Sequence, residues 1–205
     1  MFFRKRLGHL ASPHLFRSYK IDIEGCCLNL NMDKFFFHYK SAAAAPGKGV
    51  HEHVSSPYPE LTGFWRSTLS NFWPAPFTYE GHRYNTVEHA FQAAKLYIPD
   101  RAVPYEESRA FKVFAMDAES SHSIAEEDGY AARKLRKLTV LSPAQLAIWD
   151  AQKEQVMTAA QFAKFSQNPA LREILLATRE AELWHGAPRQ RPARMLSLER
   201  VRELI

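Results

Sequence analysis

The chain has 205 residues, 46% of them hydrophobic and 24% charged, which fits one domain around a sizeable core and excludes a wholly disordered or fibrous chain. No stretch is long and apolar enough to cross a bilayer, so the expectation is a soluble, cytoplasmic protein with no membrane partner. The net charge is +5, but residues 1–31 hold +3 of it, through Arg4, Lys5, Arg6, Arg17 and Lys20 against Asp22 and Glu24. The +2 that remains argues mildly against a large nucleic-acid surface. The only cysteines, Cys26 and Cys27, are adjacent. They form neither a disulfide framework nor a CxxC zinc pattern, and no metal is expected.

Residues 1–31 contain no acid before Asp22, and their positive charges alternate with apolar side chains. They read as a transit peptide, a disordered extension or a non-native start ahead of Met32. They are set aside, and 32–205 is taken as the domain. Phe35–Lys40 reads as a strand, 41–59 as a loop, and Leu61–Trp65 as a short helix or turn. Residues 75–84 read as a hairpin turning at Glu80-Gly81, where Gly81 can supply a positive φ. Thr86 is a plausible N-cap for a helix over 87–98. Helical segments are expected over 104–116 and around 123–138. Ser142-Pro143-Ala144-Gln145 is a capping-box start for a helix over 143–165. Asn168-Pro169 opens another helix, and Ser197 is a candidate cap for a last one.

The helix over 87–98 carries the strongest signal. Val87, Phe91, Ala94 and Ile98 share one face, and Ala90, Ala93 and Tyr97 extend the apolar or small surface. A narrow polar stripe remains: Glu88, Gln92 and Lys95. Charges on a buried helix are costly unless they pair or face a cavity. The stripe therefore lines a pocket or is an ordinary solvated face, and the helix alone does not decide. In a pocket, an ionised Glu88 near the helix N-terminus can stabilise a developing cation or activate water.

The run Leu69-Ser70-Asn71-Phe72-Trp73-Pro74, then Tyr79-Glu80-Gly81-His82-Arg83-Tyr84, then Val87-Glu88-His89-Ala90-Phe91-Gln92-Ala93-Ala94-Lys95 resembles the signature of the NADAR (YbiA-like) family. Gln155-Val156-Met157, Ala163-Lys164-Phe165, Asn168-Pro169, Leu171-Arg172 and Leu175-Leu176-Ala177-Thr178 also fit. The resemblance implies a compact, mostly helical α+β domain with a small sheet or hairpin. It implies cleavage of N-ribosyl bonds, in phosphorylated ribosylamino-pyrimidine intermediates of riboflavin synthesis or in ADP-ribosylated guanine. Glu88 would be the catalytic carboxylate. One departure stands out: the stretch 183–194 contains no Asp where many relatives have one.

The partner expected is a riboside or ADP-ribose ligand, and in a second version ADP-ribosylated nucleic acid; no cofactor is expected. Ser70, Asn71, Trp73, His89, Gln92, Lys95 and His185 are the candidate substrate contacts, with His89 or His185 as proton donor. His89 also reads as a satisfied core histidine. Arg189, Arg191 and Arg194 in a Pro-punctuated loop, or Lys40 and Lys48 with the amides of Gly47 and Gly49, are the candidate phosphate cradles. Either set can equally be an exposed basic loop. The competing functional reading is a silent ADP-ribose or NAD sensor.

Overall fold

The computed structural model describes residues 32–38, 40, 44–49, 51–138, 140–186 and 191–205. The expectations for residues 1–31, including Cys26 and Cys27, and for Arg189 fall outside them.

The fold is α+β, with seven helices and two small sheets among the described residues. β1 (Lys34–Phe37) pairs in parallel with β4 (Glu182–His185), and β5 (Ala193–Arg194) lies antiparallel on β4. Side chains alternate along β1, with Phe35 and Phe37 buried and Lys34 and Phe36 half-buried. β2 (Phe77–Tyr79) and β3 (His82–Tyr84) form the expected hairpin. Glu80 (φ 49°) and Gly81 (φ 84°) both take positive φ, as the tightest two-residue hairpin turn requires.

The helices are α1 (Trp65–Thr68), α2 (Val87–Tyr97), α3 (Arg109–Phe114), α4 (Gly129–Lys134), α5 (Pro143–Gln167), α6 (Pro169–Ala177) and α7 (Leu196–Leu204). Thr86 caps α2 by accepting from the His89 amide, and Ser142 and Gln145 close the expected capping box on α5. Two expected helices are shorter than their periodicity predicts. The segment 104–116 breaks at Ser108, whose hydroxyl caps α3 after a 3-10 turn. The segment 123–138 becomes helical only at Gly129, where Asp128 accepts from the amides of Tyr130 and Ala131. Ser197 is inside α7 and does not cap it. The stretch 189–194, expected as a basic loop, ends in β5.

One apolar cluster packs α2, α3 and the hairpin around Val87, Ala90, Ala93, Phe114 and Ala160. A second packs β1 and β4 against α6 and α7 through Phe35, Phe37, Trp65, Phe165, Leu183 and Leu198. α5 joins the two, giving Ala160 and Ala163 to the first and Phe165 to the second.

The Gly-Lys-Gly segment is an anion cradle, but its anion is internal. Glu52 Oε2 accepts from the amides of Gly47 (2.9 Å) and Gly49 (3.2 Å), and Oε1 from Phe36 N (2.9 Å). The same carboxylate forms a buried pair with Arg66, which also donates to the carbonyls of Phe36, Ala44 and Ala45. A Cβ on Gly49 would fall 2.6 Å from Glu52 Cδ, so only glycine admits the carboxylate this closely. Lys48 is exposed beside an occupied cradle, which removes it from the phosphate candidates.

His89 is a core strut, which corrects its expected substrate contact. Its ring is 0% exposed. Nε2 lies 3.0 Å from the Ile124 carbonyl and Nδ1 2.8 Å from Thr86 Oγ1. A carbonyl only accepts, so the proton is on Nε2 and the hydroxyl donates to Nδ1. Burial lowers its pKa to about 4.

Two outcomes are expected. Glu52→Gln strands the Arg66 guanidinium and should cost about 3–5 kcal/mol in urea unfolding. His89 titrates near 6.5 when unfolded and near 4 when folded, so the unfolded state binds the extra proton between those values. Stability should be complete above pH 6.5 and fall by about 1.4 kcal/mol per pH unit from this group as pH drops toward 4. His89→Asn should flatten that limb of the stability–pH profile.

Candidate functional site

α2 begins against the turn 68–72. The Glu88 amide donates to the Asn71 carbonyl at 3.1 Å, so the carboxylate is fixed in the first turn of the helix. The 68–72 turn is itself held from α5. Lys164 is 0% exposed and donates to the carbonyls of Thr68 and Ser70, both at 2.8 Å. Burial lowers its ammonium to about 7. Gln161, also 0% exposed, donates to Asn71 Oδ1 at 2.9 Å.

Glu88 is 7% exposed. Gln92, one turn on, donates to its Oε1 at 2.8 Å, and Oε2 has no hydrogen-bond partner among the described residues. The carboxylate opens on a cavity of about 130 Å³. Phe37, Phe72 and Met195 supply its apolar wall, Ser70 and Asn71 one rim, and Arg133 and His185 the rest. Burial raises the Glu88 pKa, and the Gln92 hydrogen bond and the charges of Arg133 and Arg136 oppose that rise.

Arg133 also shapes a second depression of about 320 Å³ with Tyr130, Lys134, Arg136 and Lys137. The two hollows therefore adjoin, one acidic at its floor and the other basic. Lys40 Nζ is 5.2 Å from the Tyr130 ring centre, and the Tyr130 hydroxyl is 3.2 Å from His38 Nε2. His38 and His185 lie side by side, 5.7 Å between centroids. Burial, then the charges of Lys40 and Arg133, lower His38. Burial, His38 and Arg133 lower His185 to about 4. Both shifts favour the neutral ring, which argues against His185 as the acid that the sequence suggested.

The structure thus brings together Glu88, Ser70, Asn71, Gln92 and His185, with Lys40 nearby. Asn71 has its side chain committed to α5, donating to Met157 Sδ (3.2 Å) and accepting from Gln161. Gln92 positions Glu88. Trp73 and Lys95 are half-buried outside the cavity lining, and Phe72 takes the aromatic place expected of Trp73. Arg194 is in β5 and is paired with Glu199 and Glu182 (2.9 Å each), so it is no free phosphate donor. Arg191 is exposed and does not line the cavity. The sequence reading missed Arg133, Arg136 and His38. The run Ala132-Arg133-Lys134-Leu135-Arg136-Lys137 was visible as a cationic cluster, but its approach to Glu88 is a tertiary fact.

The NADAR domain family model matches residues 61–191. No curated protein matches. Among solved structures, the NMR structure of the Escherichia coli protein YbiA is similar at 24% identity, over 68% of this chain and 77% of that one, with a TM-score of 0.47. The family match covers more than half of the chain and includes Glu88, Arg133 and His185, and on that match the chain belongs to the NADAR family.

Proposed function

We propose that the protein is an N-glycosidase that hydrolyses the N-ribosyl bond of a phosphorylated riboside or an ADP-ribose-type substrate. The observation that carries this reading is Glu88: a nearly buried carboxylate with one oxygen held by Gln92 and the other open to a sugar-sized cavity.

Cleavage of a ribosyl N-glycoside passes through an oxocarbenium-like state. Ionised Glu88 stabilises that cation across a site with little water and then takes a proton from the attacking water. Two neutral histidines at the rim leave protonation of the departing base to solvent or to the substrate itself. Phe72 and Phe37 pack against the sugar or base. The phosphate belongs in the adjoining hollow, where Arg133 and Arg136 are spaced i, i+3 and Tyr130 and Lys137 complete the wall.

Family membership and this arrangement support both substrates that the resemblance implies, a ribosylamino-pyrimidine phosphate and ADP-ribosylated guanine. Four cations gathered on α4 and the turn after it favour the nucleic-acid version more than the overall charge does. The second reading is a silent ADP-ribose or NAD binder, favoured by the absence of Asp from 183–194.

Glu88→Gln should reduce free-base release by about 10²–10⁴-fold with ligand affinity kept within a few-fold; undiminished release rejects the mechanism. Tight wild-type binding with no product by mass spectrometry, across NAD, ADP-ribose, ribosylamino-pyrimidine phosphates and ADP-ribosylated guanine, selects the sensor instead. Because burial raises Glu88 and the ionised form is the active one, kcat/KM should fall with acid at a pH above the usual carboxylate range. Lys137→Ala, in the adjoining hollow and outside the Glu88 cavity, should raise KM for a phosphorylated riboside several-fold and leave the dephosphorylated riboside nearly unchanged.

A further inference from the structure

α2 has a second polar surroundings on its other side. Ala90 and Ala94 lie about 200° around the helix from Glu88 and Gln92 respectively, at ~100° per residue. They floor a cleft of about 410 Å³ that contains none of the residues of the Glu88 cavity. Its walls are four tyrosines, Tyr79 and Tyr84 from the hairpin, Tyr97 from the end of α2, and Tyr105 from the 3-10 turn. Tyr97 and Tyr105 meet edge to face at 5.0 Å (87°), and Tyr79 and Tyr84 are tilted at 6.5 Å (54°). The hydroxyls of Tyr84 and Tyr105 are joined at 2.5 Å, and Tyr97 donates to the Val103 carbonyl at 2.8 Å. Tyr79 shares a hydrogen bond with the Glu80 carboxylate, so all four phenols are held by other groups.

The charges at this cleft have the opposite sign to those beside Glu88. Glu80 and Glu106 both line it. Its one arginine, Arg101, donates to Gln152 at 2.8 Å. His82 is held between Asp117 (3.2 Å) and Glu106 (3.5 Å). Among the described residues no lysine or arginine stacks on any of the four tyrosine rings, although Lys40, Arg66, Arg133 and Arg179 stack on other aromatic rings. A phosphate would meet two carboxylates here. An aromatic wall with acidic residues at its edge suits an organic cation, whose charge interacts with the ring faces and whose methyl groups bury apolar surface.

We infer that the cleft between the hairpin and the last turn of α2 is a binding site for a methylated ammonium group, held by Tyr79, Tyr97 and Tyr105 with Glu80 and Glu106 at its edge. The volume admits a headgroup together with several atoms of its chain. Two sources share this chemistry: a free small quaternary amine, and a trimethylated lysine in a peptide.

Titration of the full chain with choline, followed by NMR or calorimetry, should show saturable 1:1 binding. The uncharged carbon isostere 3,3-dimethylbutan-1-ol should bind at least about 10-fold more weakly, since only charge distinguishes the two. Tyr79→Leu and Glu80→Gln should each weaken choline several-fold, and Tyr79→Phe, which keeps the ring, should not. Glu80 is exposed at the hairpin turn, so Glu80→Gln tests the site without disturbing the core. Glu88→Gln should leave choline binding unchanged, which separates this site from the proposed catalytic one. A trimethyllysine peptide that binds more tightly than choline assigns the site to a protein partner; equal or weaker binding assigns it to the free amine. Equal affinity for the isostere, indifference to both Tyr79→Leu and Glu80→Gln, or no saturable binding of choline or of the peptide overturns the inference.

Discussion

The Glu88 cavity depends on an ammonium group buried without a carboxylate. Lys164 reaches from α5 to the carbonyls of Thr68 and Ser70 and has no other hydrogen-bond partner among the described residues. Burying such a charge is costly, and the lowered pKa of about 7 reflects that cost. What it secures is the path of the 68–72 turn. That turn presents the Asn71 carbonyl to the Glu88 amide and places Ser70 and Phe72 at the cavity rim. A neutral side chain of the same length could fill the space but could not bring two carbonyl oxygens to one point as firmly.

The electrostatics around Glu88 follow from the same placement. Desolvation pushes the carboxyl toward its neutral form, while the helix N-terminus, Gln92 and the guanidinium groups of Arg133 and Arg136 favour the ion. The opposition suits the proposed base, because a carboxylate fully satisfied by arginine would have little affinity for a proton. Arg133 forms no ion pair with Glu88. Its charge acts across the cavity, and the Oε2 lone pairs stay open to a ligand. Burial disfavours the charged form of the neighbouring histidines as it does that of Glu88, but Arg133 acts differently on the two: it adds to the effect of burial at His38 and His185, and it opposes burial at Glu88 by favouring the carboxylate.

What could be read from the sequence was whatever is encoded locally. Thr86 before an alanine-rich amphipathic run, the Ser142–Gln145 box and Glu80-Gly81 between aromatic residues each involve partners within a few positions, and each forms the expected element. Pairings across the chain were not visible. β4 aligns Glu182 with Lys34, 148 positions earlier, so its residues could not be told from a loop. Arg194 is held both by Glu182 across the strand pair and by Glu199 five positions on, and only the second of these was near it in the sequence. The Glu52 cradle is different. A carboxylate three residues after Gly49 was in view, and a nest of amides that close to an acid is as readily filled from within as by a phosphate. For Glu88 the periodicity left two readings open, and burial decided between them: a stripe on a helix packed by α3, α4 and α5 has little solvent to face.

The small residues of α2 determine how close its two sides can come. Ala90, Ala93 and Ala94 keep the helix slender, so the hairpin and α5 approach its backbone on one side while the 68–72 turn closes on the other. A larger side chain at Ala93, which is 0% exposed, would lever these neighbours apart. The separation in charge also follows from the helix. Glu88 sits in its first turn and feels the cations Arg133 of α4 and Arg136 of the turn after it. Tyr97 sits in its last, among aromatic rings and the acids of the hairpin and the 3-10 turn. One eleven-residue helix therefore borders two separate hollows, one with a carboxylate at its floor beside Arg133 and one walled by tyrosines with Glu80 and Glu106 at its edge.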